Sequence, residues 1–489
     1  MFATKHALAA PPRTASSPPR TRITAVGFLA WGMTLSLMAA DLAAICAVAG
    51  CLAIVRYRPD SRFEWSAVAG LLPYVAMVFP AFAFQKLYPG LLMHPAEEMR
   101  RVVCSLSAVF LIFATSTFLW RTEGDHSRSA FLIAWAGSSP AILLARSFTR
   151  RWLGDKSWWG VPAVVLGSGL AARRIVRKFR DGRLGVKVAG VFSEDQILSW
   201  TQDMPPILGG LHQAPDVVGA RVAEYAIVAV APKSNLELRR VIEDYCRGFR
   251  HVLLIPDMPG VCSMGVAACD IQGELGFELP QRLFQRSSAA IKRAIDCAAS
   301  VILLGLLLPL FALIAVAIKL TSRGPVFYGH LRQGRNGNVF RALKFRTMVA
   351  DADRVLADYL VSHTEAVPEW QRNQKLRNDP RITRIGKWLR RSSLDELPQL
   401  INVLIGQMSL VGPRPIVEEE IAKYGRVYGL YTRVLPGLTG LWQVSGRNNT
   451  TYEERVAFDE HYVHNWSVWL DLYILVRTIK TVATGEGAY

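Results

Sequence analysis

The chain has 489 residues, room for three or four domains at roughly 100–200 residues each. Its 57 Lys and Arg against 39 Asp and Glu leave a net charge of +18, yet 51% of the residues are hydrophobic and the mean hydropathy is +0.21. That pairing excludes an intrinsically disordered chain, does not suit an ordinary soluble basic protein, and points to a membrane protein that faces polyanions.

The first 22 residues, rich in Pro, Ser, Thr and Arg, are expected to be a disordered tail. The apolar run after Arg22 starts too late and is too long for a cleaved signal. Four apolar segments follow, at 23–55, 66–84, 102–120 and 130–145, and predict a four-span bundle over 23–150. The flanks on one side carry 11 Lys and Arg and those on the other carry 5, which places both ends of the bundle in the cytoplasm. Asp41 sits inside the first segment, where a hydrogen bond between helices is its expected role.

Residues 151–280 change character. Short apolar strands at 161–166, 186–192, 226–230 and 252–255 alternate with helical stretches, including 235–249. This is the pattern of a parallel, doubly wound, Rossmann-like sheet. The first strand runs into Gly167-Ser168-Gly169-Leu170-Ala171-Ala172, a turn that can hold a pyrophosphate at a helix N-terminus. No Tyr-x-x-x-Lys pair follows, so the domain is read as structural or regulatory and not as a redox module. The seven cysteines include no Cys-x-x-Cys pair, and His461 with His464 lack a third ligand, so neither a disulfide framework nor a zinc site is expected.

A fifth apolar run, 294–318, is broken only by Asp296. Lys292 and Arg293 precede it, Lys319 and Arg323 follow it, and the 92 residues from Arg323 to Arg414 carry a further excess of positive charge. Positive charge on both flanks predicts that both ends stay cytoplasmic. Pro309 supplies a break, so 289–320 is expected to form a re-entrant helix that enters one leaflet and returns.

Beyond Gly324 the chain becomes dense in polar motifs. A strand, a turn through Arg335-Asn336-Gly337, and further strand lead to Lys344-Phe345-Arg346-Thr347-Met348, where alternation sets Lys344 and Arg346 on one face. Asn378-Asp379-Pro380-Arg381-Ile382-Thr383-Arg384 precedes Ser393-Leu394-Asp395-Glu396-Leu397-Pro398-Gln399. Ser393 and Glu396 have the spacing of a helix capping box. The same carboxylates, set among Arg381, Arg384, Arg390 and Arg391, also suit a nucleophile toward phosphorus and a Mg²⁺ ligand. Arg414 stands between Pro413 and Pro415 in a rigid turn fit for a nucleotide base or phosphate. Pro436-Gly437-Leu438-Thr439-Gly440 and Trp442-Gln443-Val444-Ser445-Gly446-Arg447 follow, and 456–482 reads as one interfacial amphipathic helix.

Taken in this order, these strings resemble the bacterial sugar transferases, the monotopic polyprenyl-phosphate phosphoglycosyl transferases, and in particular the galactose 1-phosphate branch that uses undecaprenyl phosphate. The resemblance implies a catalytic α+β domain over 281–489 behind the bundle and the Rossmann-like domain. It implies that Asp395 attacks the β-phosphorus of a UDP-sugar, releases UMP and passes the phosphosugar to undecaprenyl phosphate, with Glu396 as Mg²⁺ ligand. Lys344, Arg346, Arg381 and Arg384 would contact phosphates. Arg414, held by Pro413 and Pro415, would contact the nucleotide, and Pro309 would break the re-entrant helix. Leu308 stands where the family often has serine. Glucose 1-phosphate or an N-acetylated sugar phosphate is the alternative cargo. The expected setting is the bacterial inner membrane with the catalytic domain on the cytoplasmic face, as a homodimer with no nucleic-acid partner.

Overall fold

The computed structural model describes residues 26–56, 72–119 and 128–484, apart from 168, 181, 183, 194–203, 216–222, 224, 230–240, 256–265, 272–273, 280, 374–375, 377–378 and 447–449. The tail expected over 1–22 lies outside the described residues. Two compact units emerge, Met1–His94 with Arg100–Asp257, and Pro95–Met99 with Met258–Tyr489.

The apolar N-terminal segments form helices α1 (Val26–Arg56), α2 (Leu72–Phe84), α3 (Pro95–Leu119) and α4 (Arg128–Leu153). Within α1, α3 and α4, stretches of 23 or 24 residues are long and apolar enough to cross a membrane. α2 is shorter at 13 residues, and 66–71 of the expected second span lie outside the described residues. α4 continues through Pro140 and is longer than the expected 130–145. α1 packs along α4. There Arg146 Nε and Nη2 donate to Asp41 Oδ1 and Oδ2 at 2.8 and 2.7 Å, and Tyr88 Oη donates to Asp41 Oδ2 at 2.5 Å. Asp41 is therefore a buried partner between helices, as its position suggested.

In the same unit β1 (Val161–Gly167), α5 (Gly169–Phe179), β2 (Val186–Phe192), β3 (Ile207–Gly209), β4 (Tyr225–Ala229) and β5 (His251–Leu254) build a five-stranded parallel sheet in the order β3-β2-β1-β4-β5. This is doubly wound order, with the reversal between β1 and β4. Strand β1 is apolar on both faces: Val164 and Leu166 enter one core, Ala163 and Val165 the other. A Cβ on Gly167 would come within 2.5 Å of the Ala229 carbonyl oxygen, so close packing against β4 requires this glycine whatever the turn binds. β3, three residues long, has no counterpart among the expected strands. Of the helix expected over 235–249, residues 235–240 lie outside the described residues, and Val241–Tyr245 forms one π-helical turn.

The second unit opens with an antiparallel hairpin, β6 (Ala267–Ile271) and β7 (Glu274–Glu278), followed by the 36-residue α6 (Arg286–Thr321). A second hairpin, β8 (Phe327–Gln333) and β9 (Val339–Phe345), pairs Tyr328 with Lys344. Then come α7 (Ala352–Ser362), α8 (Val367–Asn373), α9 (Arg384–Ser392), α10 (Gln399–Ile405), β10 (Ser409–Val411), β11 (Gly437–Thr439), α11 (Leu441–Ser445), α12 (Tyr452–Asn465) and α13 (Val468–Thr484). Leu400, Val403, Leu410, Tyr462, Leu470 and Ile474 share its main core.

The single helix expected over 456–482 is two. Trp466 adopts an extended conformation (φ −54°, ψ 135°), and Ser467 Oγ accepts from Leu470 N at 3.1 Å to start α13. The apolar face of α6 follows one line along this unit. Lys292, Asp296 and Ser300 are buried near its start, Leu304 and Leu307 pack on the main core, and Ile314 and Ile318 pack with Phe345 and Leu389 near its end. The helix is continuous through Pro309, without the break expected there, and by length and composition it too is apolar enough to cross a membrane.

Candidate active site

The site is built where α9 stops. Thr383, with extended backbone, caps α9 by accepting from Gly386 N at 3.0 Å. At the other end Ser393 takes the left-handed conformation (φ 56°, ψ 16°), and Leu394–Glu396 form a single 3₁₀ turn into Pro398 and α10. The capping box allowed by the Ser393–Glu396 spacing does not form: Ser393 makes no side-chain cap hydrogen bond. An N-cap needs extended backbone, and Ser393 already serves as the left-handed C-cap of α9. A left-handed β-carbon residue is uncommon outside functional or strained positions, and this one aims Asp395 inward.

Asp395 is 8% exposed. Burial is the main cause that pushes its carboxyl up to about 6, with the neighbouring Glu396 charge in the same sense; Lys344 and Arg390 oppose them. Lys344 reaches from β9 to Glu396, Nζ to Oε1 at 2.6 Å, and Glu396 Oε2 has no hydrogen bond among the described residues. Arg390 Nε donates to Thr347 Oγ1 at 3.0 Å, two residues past Phe345. Lys344, Arg390, Asp395 and Glu396 thus form one cluster from β9, α9 and the turn.

The other expected residues divide. Arg346 is buried, and its Nη2 donates to the carbonyl and hydroxyl oxygens of Ser322 at 2.9 and 2.8 Å. Arg381 is committed to Asp379 by a bidentate pair (Nε–Oδ1 2.8 Å, Nη2–Oδ2 2.7 Å) and lies 4.9 Å over the Trp370 ring. It braces the segment before α9. Arg384 is exposed at the first position of α9. Pro309 is exposed midway along α6.

Arg414 belongs to a second cluster. Its backbone N–H donates to Asp459 Oδ2 at 3.3 Å, and its guanidinium lies 5.5 Å from the Trp442 ring centroid, with Arg455 at 4.9 Å from the same centroid. Pro413 is buried, and the Pro415 carbonyl accepts from Arg332 Nη1 at 3.2 Å. Tyr424 Oη donates to Asp459 Oδ2 at 2.8 Å. Burial holds the Asp459 carboxyl up at about 7. Burial first, and then the charge of Arg414, lowers the proton affinity of Arg332, while Glu420 and Glu396 oppose this, so Arg332 feels both clusters.

Asp459 and Arg332 were absent from the expected set. The signal for Asp459 is an acid on the buried stripe of α12, beside Val456, Tyr462 and Val463. Arg332 offers none, being one basic residue on an amphipathic strand. Arg447 and Asn378 lie outside the described residues.

Among the described residues no three His, Cys, Asp or Glu side chains gather into a metal cage. Asp395 and Glu396 nonetheless fit a Mg²⁺ bound by one or two carboxylates, with substrate phosphates and water supplying the remaining oxygens.

Comparison with known proteins completes the description. A model described as bacterial sugar transferase matches residues 287–485, and one described as a CoA-binding domain matches 89–256. The undecaprenyl-phosphate galactose phosphotransferase of Salmonella typhimurium is 36% identical over 395 residues, covering 78% of this chain and 80% of that protein. The UDP-galactose-lipid carrier transferase of Erwinia amylovora is 36% identical over 373 residues, 75% of this chain and 78% of its own. The UDP-glucose:undecaprenyl-phosphate glucose-1-phosphate transferase of Escherichia coli is 30% identical over 392 residues, 78% and 80% respectively.

Proposed function

Because this chain belongs to the bacterial sugar transferase family and is a phosphotransferase, we propose that it moves a hexose 1-phosphate, foremost galactose 1-phosphate, from a UDP-sugar to undecaprenyl phosphate. The products are the undecaprenyl diphosphate sugar and UMP, and the reaction is a first membrane step of O-antigen, capsule or exopolysaccharide synthesis. The names of two relatives favour galactose; the glucose named in the third supports glucose 1-phosphate as the second reading.

The observation that carries the mechanism is the buried Asp395 between Lys344, Glu396 and Arg390. In the first step an Asp395 oxygen forms a bond to the β-phosphorus as the bond from that phosphorus to the bridging oxygen breaks, and the electron pair leaves with UMP. In the second, a phosphate oxygen of the lipid forms the new P–O–P bond, and the electron pair of the Asp395–phosphorus bond returns to the carboxylate. Lys344 steadies Glu396 and places a cation beside the diphosphate. Arg414, stacked on Trp442, faces the nucleotide, and Asp459 fixes its turn. Glu396, with Asp395 beside it, would hold Mg²⁺, which offsets negative charge on the leaving phosphate.

For the membrane setting we take α6 as re-entrant, with both its ends on the cytoplasmic side of the inner membrane. In support, Lys292 and Asp296 near the start of α6 bond Asp471 and Ser409, Ile314 and Ile318 near its end pack with Phe345 and Leu389 of the same unit, and a helix crossing to the far side would carry one end away from it. The opposite side of α6, including Ile302, Leu306 and Leu313, is exposed and apolar.

The test is a panel of UDP-sugars read out as UMP release, with Asp395→Asn as control. Wild type incubated with donor alone should yield a phosphosugar on Asp395 by mass spectrometry, and the variant should yield none. UMP release that always requires the lipid phosphate, without any adduct, would exclude the two-step scheme.

A further inference from the structure

Strand β9 pairs with β8 on one side only; among the described residues their sheet has two strands. Arg346 N donates to Val326 O at 2.8 Å, so by alternation the even residues of β9 turn their backbone groups toward β8, and Arg341 and Leu343 turn theirs to the other edge. One side chain of α10 takes the place of a third strand there. Asn402 Oδ1 accepts from Leu343 N at 2.9 Å, and its Nδ2 donates to Arg341 O at 2.8 Å and to Gln407 Oε1 at 2.7 Å. A backbone N–H can only donate and a carbonyl only accept, so the amide has a single orientation, with both hydrogens of Nδ2 in use. Asn402 is 1% exposed.

Packing alone does not call for an amide at this place. Phe340 and Ala342 of β9 share the main core with Leu400 and Val403 of α10, and an apolar side chain at 402 would suit that core. Apolar contact selects which face of β9 turns inward, but it is non-directional and leaves the position of the strand along its own axis loosely set. The two strand bonds of Asn402 set that position. Both ends of the connection carry site residues. Lys344 follows Leu343 directly, on the same face as Phe340 and Ala342. The Asp395–Glu396 turn runs through Pro398 into α10, where Asn402 lies, and Lys344 Nζ meets Glu396 Oε1 at 2.6 Å. The Asn402 carbonyl also accepts from Gly406, Gln407 and Met408 N at 3.1, 3.0 and 3.2 Å, which secures the end of α10.

We propose that Asn402 is a positioning residue for phosphoryl transfer: standing in for a third strand, it sets where Lys344 meets the Asp395–Glu396 turn. It touches no substrate and acts through Lys344. The inference rests on the reading that Asp395 receives the phosphosugar with Lys344 beside the diphosphate. On that reading the demand is strict, since a misplacement of about 1 Å can cost about 100-fold in rate.

The test uses the full chain in nanodiscs with UDP-sugar alone and follows the first burst of UMP, whose amplitude counts competent sites and whose rate constant reports the chemical step. Asn402→Ala should slow the rate constant about tenfold or more and keep the amplitude near that of wild type. Made on top of Lys344→Gln, it should slow the burst by less than about twofold, because the group it positions is gone. Gln407→Met, at a partly exposed position, leaves both strand bonds in place and frees only the amide's third one, so it should slow the burst by about two- to fivefold, again only while Lys344 is present. A smaller amplitude with an unchanged rate constant would make Asn402 merely structural and overturn the proposal. So would equal slowing in the wild-type and Lys344→Gln backgrounds. If Asn402→Ala does not fold, Gln407→Met decides, and a burst as fast as wild type then overturns the proposal. Failure of the underlying reading looks different: wild type itself then gives no UMP from any UDP-sugar, with or without the lipid phosphate, and the proposal falls with it.

Discussion

Asp395 carries a conflict between stability and activity. Its carboxyl titrates near 6 in the folded chain and near 4 when unfolded, so the folded state holds the proton more tightly. Stability therefore falls as pH rises from 4 to 6, by up to about 3 kcal/mol, and stays lower above that range. Asp395→Asn removes the buried charge, so its heat-denaturation midpoint should exceed that of wild type at pH 8 and match it near pH 4. Adduct formation should run oppositely, falling about tenfold per pH unit below 6, because the carboxylate is the attacking form. A pH-independent difference in midpoint would show that burial of this charge is not what strains the site. The basic residues around it were legible as a group, but not their assignments. Arg381 and Arg390 look alike in sequence, yet Asp379 claims the first while the second stays beside Asp395. Asp459 was not legible because its importance lies in what Arg414 and Tyr424 bring to it from distant segments.

At the scale of elements, the same four-residue signal gives opposite outcomes. Thr451 and Glu454 form a reciprocal capping box at the start of α12, with bonds of 3.2 and 2.9 Å. Ser393 and Glu396 share the spacing and do not. The difference lies upstream: Ser393 ends a helix and is left-handed, whereas Thr451 enters one from extended backbone (φ −65°, ψ 166°). Periodicity likewise joined α12 and α13, because Trp466 and its neighbours keep the apolar pattern while Ser467 restarts the backbone bonding. The β8–β9 hairpin and four strands of the parallel sheet were readable from alternation and turn residues; β3 is too short to show a pattern. The polar residues of α6 become intelligible only in three dimensions. Asp296 accepts from Ser409 Oγ at 2.7 Å and Leu410 N at 3.2 Å, while Lys292 bonds Asp471 at 2.7 Å. Asp296→Ala leaves Lys292 with a single acidic partner and the Leu410 N–H with none. At about 3–5 kcal/mol for breaking such a buried group, the melting midpoint should drop by roughly 10 °C. Asp296→Asn, which keeps an acceptor, should lose less than half of that. Equal losses would assign the effect to the buried charge alone.

For the whole molecule, charge placement is what the sequence made most legible, and sidedness is the property it predicts. Single cysteines at Ser287, in the first turn of α6, and Arg323, just past its end, both exposed, report it once the native cysteines are replaced by serine. Position 323 leaves Ser322 intact for Arg346. In intact cells an impermeant thiol reagent should label neither position, and both should react after the membrane is opened. Labelling of 323 alone from outside would make α6 a full crossing and place Asp395 away from a cytoplasmic donor.

The Asp41–Arg146 pair also bears on how the chain is made. Its two members are 105 residues apart, one in α1 and the other in α4. During synthesis the carboxylate therefore reaches the insertion machinery well before its counter-ion exists. A lone acid at mid-bilayer costs about 2.5–3.5 kcal/mol on insertion scales, a penalty that the apolar remainder of α1 must offset until α4 brings Arg146. Tyr88 supplies the first hydrogen bond to that acid and Arg146 its counter-ion, so a chain cut short between them keeps a buried carboxylate with a donor but no opposite charge.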